Sequence, residues 1–388
     1  MRLALAAALL ALAISGILGS RKVIDTALVL TDIMAGVGPS PLKMLTPTPV
    51  QAEVRYPGNG ELLEADLYLP GQGRPRAGVV LVPGIVPLGN RDPRLRAFAE
   101  TLARAGFAVV APAMPGYRKL QVHPADADVV AAAFRYLVAH PQGAPQGRAG
   151  MVAFSYAVGF AVLAALEPAI REQVQFIVGI GGYYDLTDVV TFATTGYFQV
   201  DGRWVQRQPD PYGQWVFLES TRPYLVNAKD RFLLGEMARV KLENLDADIT
   251  PLAQGLGPEG MSVYHLLTNT DPAKVSACLA ALPEPIRAVL DKLTLHNKGL
   301  HALSARLILV AGQDDPIIPY AQSLQLARAV PCDQARVFII HHVLGHVELH
   351  PARVFRGSFW NEDLPDFRRL YGAVHRLLAE RQRRQAPP

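Results

Sequence analysis

Residues 149–166 read AGMVAFSYAVGFAVLAAL and change character at Ser155. Before it, Ala149–Phe154 is apolar at every position, as expected for a strand covered on both faces. After it, Val158–Leu166 reads as a helix. The same alternation extends outward in both directions. Upstream lie strand Ala77–Val82 (AGVVLV), helix Leu95–Arg104 with Gly106 just past its end, strand Phe107–Pro112 and helix Ala125–Ala139. Asp126 and Asp128 open that last helix, where the helix dipole favours acids. Downstream lie strands 175–179 (QFIVG), 306–311 (RLILVA) and 336–340 (RVFII), with helices over 321–330 and 368–381. Two opening strands, Ala52–Tyr56 and Leu62–Leu69, precede the series. This pattern predicts an α/β fold: a doubly wound, mostly parallel sheet with helices on both faces.

Ser155 sits at a strand-to-helix corner. The residues two before and two after it, Ala153 and Ala157, are small, so strand and helix can approach closely there. Taken alone, the pentapeptide also fits an N-cap serine on an ordinary helix. It resembles the nucleophile elbow, G-x-S-x-G, of the α/β-hydrolase superfamily, with alanine in place of both glycines. Other segments extend the resemblance over roughly 53–182 and 306–375. Pro83-Gly84-Ile85-Val86-Pro87-Leu88-Gly89 follows strand Ala77–Val82, where the family places its oxyanion loop. The resemblance assigns backbone N–H donors to Ile85 and Tyr156. Pro83 stands where histidine is usual; it and Pro87 have no N–H to donate. Gly312-Gln-Asp-Asp-Pro-Ile-Ile-Pro319 resembles the acid turn and selects Asp315, with Asp314 second and Asp185 and Asp188 as rivals after the preceding strand. Gly345-His346 after the last strand matches the position of the base.

Residues 341–350 (HHVLGHVELH) hold four histidines. His342, His346 and His350 repeat at i, i+4, a spacing that would put metal ligands on one helix face. Gly345 favours a loop instead, and the order H-E-x-x-H is absent. Neither a metal nor an organic cofactor is expected.

Between two core strands, 122 residues (183–304) are far too many for a bare loop. They are read as a mainly helical cap, with helices at Phe232–Leu242 and Lys274–Leu293 and a hairpin turn at Asp201-Gly202. Aromatics crowd its start, among them Tyr183, Phe192, Trp215 and Phe217. Most are expected to form the cap's own small core, the remainder to wall an apolar acyl pocket.

The chain has 388 residues, half of them hydrophobic and 19% charged, which excludes a disordered chain. Its net charge of +4 is spread out, so no nucleic-acid footprint is present. Cys278 and Cys332 are too few for a disulfide framework and are expected as buried free thiols, with a single disulfide as the alternative. Leu3–Gly19 carries no charge. At 1.5 Å per residue it spans about 25 Å, slightly short of a roughly 30 Å hydrocarbon core. It fits a secretory signal or an uncleaved anchor, which implies a membrane-anchored or secreted, periplasmic protein. The organisation expected is signal or anchor (1–22), connector and Pro-rich linker (23–50), core (51–182), cap (183–304) and core again (305–388).

Taken together, the resemblance implies a serine hydrolase of a small-molecule carboxylic ester or related acyl substrate. Ser155 would be nucleophile, His346 base and Asp315 acid. Peptidase or thioesterase activity uses the same triad. A catalytically silent, membrane-tethered binding protein of the same fold is the rival class.

Overall fold

A strand that is apolar throughout must be covered on both sides, and that requirement builds the molecule. The computed structural model describes residues 21–349 and 363–383. Leu3–Gly19 and His350 lie outside the described residues. Among those described, no helix is long and apolar enough to cross a membrane.

The chain enters through helices α1 (Arg21–Ala35) and α2 (Pro41–Leu45), then strands β1 (Val50–Gly58), β2 (Glu61–Leu69) and β3 (Ala77–Val82). Helix α3 (Pro93–Arg104), β4 (Phe107–Pro112), α4 (Asp126–Ala139), β5 (Ala149–Phe154), α5 (Ala157–Ala165) and β6 (Phe176–Ile180) continue the alternation. An inserted unit follows: α6 (Leu186–Thr195), hairpin β7 (Tyr197–Val200) and β8 (Arg203–Gln206), α7 (Tyr212–Thr221), α8 (Ala228–Glu243), α9 (Thr250–Ala253), α10 (Pro258–Thr268), α11 (Val275–Ala280) and α12 (Glu284–Leu293). The core resumes with β9 (Arg306–Gly312), α13 (Tyr320–Ala329), β10 (Ala335–Ile340) and α14 (Leu364–Glu380).

Eight strands form one sheet in the order β1-β2-β4-β3-β5-β6-β9-β10. β1, β2 and β4 pair antiparallel; from β4 onward neighbours are parallel. Every residue of β3 and β4 is buried. One face packs on α4, α5 and α13, the other on α1, α3 and α14. Each fully buried Val or Leu contributes about 1.5–3 kcal/mol, so these central strands carry much of the stability.

The segment read as connector and linker is instead part of the body. α1 packs against α14 and α3, burying Val29 and Leu30. Asp32, on α1, is fully buried. It accepts hydrogen bonds from Ser40 and from Thr101 Oγ1 (2.7 Å), and Lys43 Nζ lies 3.2 Å away. A charge is tolerated there because three donors surround it, which prolines in the sequence give no hint of.

The insertion has its own small core, with Trp215, Leu218, Leu234, Met237, Leu266 and Ile286 at its centre. Its two anticipated helices are present; Pro283 separates α11 from α12. The hairpin turns at Asp201-Gly202 as read. Both cysteines are free, but the expectation that they are buried fails. Cys332 is exposed in the turn before β10 and Cys278 is half-buried on the short α11. Cys278 packs at the margin of the insertion's core.

Removing the Asp32 carboxylate would leave Ser40 Oγ without its acceptor and take one partner each from Thr101 Oγ1, which keeps Ala97 O, and Lys43 Nζ, which keeps Gly36 O and Gly38 O. Asp32→Ala is expected to destabilise the protein by about 2–4 kcal/mol, read from the urea midpoint. An unchanged midpoint would show that α1 is a dispensable connector after all.

Candidate active site

β5 ends at Phe154, and its ladder continues one residue further: the Ser155 N–H donates to Ile180 O at 2.7 Å. Helix α5 must begin at once, with Val158 N–H already donating to Ser155 O (3.1 Å). Only a sharp reversal joins the two, and Ser155 supplies it with φ +56°. That left-handed conformation costs an L-residue about 1–2 kcal/mol. Ser155 is not the helix cap: that position falls to Tyr156, which makes no side-chain capping bond. Ala153 and Ala157, the two departures from glycine, are both fully buried. The close approach is made just past the end of the neighbouring strand β6, where a Cβ on Gly182 would lie 2.6 Å from Val158 Cβ.

The serine hydroxyl is free to point elsewhere, and His346 Nε2 stands 2.6 Å from Ser155 Oγ. His346 Nδ1 lies 2.7 Å from Asp315 Oδ2. Asp315's side chain is fully buried. Its other oxygen, Oδ1, accepts the N–H groups of Ile317 (2.8 Å) and Ile318 (2.9 Å). An ionised carboxylate only accepts, so it selects the tautomer with hydrogen on Nδ1. Nε2 is thereby left as a lone pair facing the serine hydroxyl.

His346 belongs to an irregular loop after β10, and three devices hold that loop. Buried Asp366 on α14 accepts the N–H groups of His341 (3.0 Å), His342 (2.6 Å) and Val343 (3.4 Å). Gly312, ending β9, lets Gly345 pass where any Cβ would collide with its carbonyl. Glu348 pairs with Arg94 on α3 at 3.0 Å. The sequence reading did not single out Asp366; an acid in the first turn of the last helix, behind Pro365, was the only signal.

The other acids are engaged elsewhere. Asp314 is exposed and 3.5 Å from Arg207. Asp185 caps α6 through the Thr187 N–H (2.8 Å) and stands 3.4 Å from His296. Asp188 receives Gln322 (3.2 Å) and Gln325 (3.0 Å). His342 contributes its N–H to Asp366, and its ring lies against that of His341. Among the described residues, no group of three or more His, Cys, Asp or Glu side chains is arranged to hold a metal ion.

Ile85 and Tyr156 border the same cavity as Ser155 and His346. Among the described residues, neither N–H has an acceptor. Tyr156 is fixed from behind: its ring packs on Tyr183 at 4.6 Å, and the Tyr183 hydroxyl donates to Leu293 O (2.8 Å) on α12. Beneath them burial pushes the Tyr117 phenol well up, and Asp126 from 3.8 to about 6. The His123 N–H on Asp126 (2.8 Å) offsets only part of that cost. Asp126, read from the sequence as a dipole-facing acid, is in fact a buried one. Of the crowded aromatics in the insertion, Tyr212 and Phe217 reach the cavity; its wall is mostly aliphatic.

Asp126 gives the site a pH signature. Because its folded-state pKa is raised, the stability it contributes is full below pH 3.8 and lost as pH climbs through about 6. Asp126→Asn escapes that loss. It should gain up to about 3 kcal/mol over the parent above pH 7 and nothing below pH 4, measured by urea unfolding at both pH values. An equal effect at the two would refute the assignment.

No family model and no curated protein sequence matches the chain. Solved structures do. One from Legionella pneumophila, provisionally assigned as a hydrolase, aligns with a TM-score of 0.54 at 11% identity, over 88% of this chain and 92% of that one. A dienelactone hydrolase from Anabaena variabilis aligns at 0.41 and 16% identity, over 86% and 97%. A puromycin-hydrolysing peptidase from Mycobacterium tuberculosis aligns at 0.45 and 14% identity over 85% of this chain, which spans 38% of that protein's length. At such identities likeness speaks to architecture alone, and the Legionella structure, with the sheet order and the corner at Ser155, gives this chain the α/β-hydrolase fold.

Proposed function

We propose that the protein is a serine hydrolase that cleaves a carboxylic ester or related acyl substrate through an acyl-enzyme. The observation that carries this reading is the unbroken series Asp315–His346–Ser155, linked at 2.7 Å and 2.6 Å. Its serine holds a strained backbone at the head of a helix. Strain of this kind persists where the surrounding structure over-determines it, and it clusters at working sites.

In the proposed reaction the Nε2 lone pair of His346 takes the Ser155 proton as Oγ attacks the carbonyl carbon. The carbonyl π pair moves onto oxygen, and the free N–H groups of Ile85 and Tyr156 receive that charge. Asp315 stays ionised and stabilises the imidazolium. Collapse of the tetrahedral species breaks the bond to the leaving group, which takes the proton back from His346. Water, deprotonated by the same nitrogen, then attacks the acyl carbon; the acyl–Oγ bond breaks, Ser155 Oγ takes the proton back from His346, and the acid leaves.

A fluorophosphonate probe tests the reading, because it modifies only an activated serine. Ser155 is expected to be labelled stoichiometrically, with labelling lost in Ser155→Ala and His346→Ala. Asp315→Asn keeps the shape but removes the charge, and turnover of an activated ester should drop about 10³–10⁴-fold. Asp314→Asn should cost less than about threefold, since that side chain is held at the surface by Arg207. A folded protein that takes no label would instead be a silent binding protein of this fold.

A further inference from the structure

We infer that the substrate of this site is an uncharged ester with an apolar chain of medium length, an inference that rests on the serine-hydrolase reading above. A cavity of about 420 Å³ runs from Ser155 and His346 between core and insertion. That is inside the usual range for small-molecule sites, about 300–1,000 Å³. Its walls are apolar on several sides. Val189 and Val190 come from α6, Phe217 from α7, Leu290 from α12, and Ile317 and Ile318 from the acid turn itself.

The polar side chains in the wall do not solicit a polar guest. Thr194 Oγ1 donates to Val190 O (2.9 Å), Ser220 Oγ to Leu120 O (3.0 Å) and Thr221 Oγ1 to Phe217 O (2.9 Å). Gln214 Nε2 donates to Ala193 O (2.5 Å). Each hydroxyl has given its hydrogen to a backbone carbonyl, and Gln214 has given one of its two amide hydrogens.

Charge points the same way. Among the described residues no lysine or arginine lines the cavity, and the carboxylates that do are Asp210 and Glu348. Asp210 is occupied by the Tyr212 N–H (2.9 Å) and Glu348 by Arg94. A guest carboxylate would lose water, meet two like charges and find no cation among the described residues. A methylene entering the same space only gains. Burial worth about 0.8 kcal/mol per CH₂ corresponds to about fourfold in kcat/KM if it is fully realised in the transition state.

The full-length chain can be assayed with two ester series. In one, p-nitrophenyl esters lengthen the acyl group from acetate to octanoate; in the other, alkyl acetates lengthen the alcohol from ethyl to octyl. In at least one series kcat/KM is expected to rise two- to fourfold per methylene up to six or more carbons. The p-nitrophenyl hemisuccinate should run at least a hundredfold below the butyrate. Val189→Phe, which fills the cavity, should lower the octyl-to-acetyl or octanoyl-to-acetyl ratio at least tenfold; should that variant not fold, the series on the parent protein decide. A flat profile in both series, or a hemisuccinate as fast as the butyrate, overturns the inference while acetate turnover and Ser155 labelling leave the hydrolase reading standing. Loss of both labelling and acetate turnover would bring down the two together.

Discussion

Ser155 holds a backbone conformation that costs about 1–2 kcal/mol, and the surrounding core is arranged to keep it there. The peptide N–H at the corner is tied to β6, so the reversal cannot relax by sliding along the sheet. Helix α5 leaves immediately and is pinned between β6 and the buried Tyr183. Relief of the corner would have to unpack Val158 from the glycine-lined end of β6, at a cost of several buried contacts. The hydroxyl therefore stands clear of the helix, which is the geometric condition for a histidine to reach it.

The fold was legible in the sequence because the central strands show one simple property, apolarity at every position. No other common element combines that with a length of five or six residues between helices. Ser155, Asp315 and His346 were legible for a different reason: each lies in the segment that leaves the end of a core strand, one residue past β5, three past β9 and six past β10. What was not legible depended on contacts distant in sequence. Asp126 and Asp128 look alike in the first turn of α4, yet only Asp126 is buried. Helix α7 lies between the insertion's own core and the cavity, so it is apolar on two sides and shows no single stripe. Asp32 falls in the stretch read as a connector, residues 23–50. The residues that make it a buried anchor come from elsewhere, Thr101 on α3 and Ser40 beyond a glycine-rich turn.

The alanines flanking the serine illustrate how a departure from a motif can be absorbed. A glycine at those points would leave room on the corner's own strand and helix. Here that room is found on the adjacent strand end, at Gly182, which faces the same helix. The constraint is on the gap between backbones, and either side of the gap can satisfy it. A pattern written along one segment cannot record this exchange, because the two partners lie on different strands.

Asp366 has a bearing on how the protein comes into being. The serine corner is complete once the first half of the core exists, but the histidine loop donates three backbone N–H groups to Asp366 on the last described helix. On the proposed reading the nucleophile is made nearly two hundred residues before its base, and the loop that carries the base lacks these three bonds until α14 docks. A growing chain would then carry an unarmed serine, and arming would coincide with docking of the final helix.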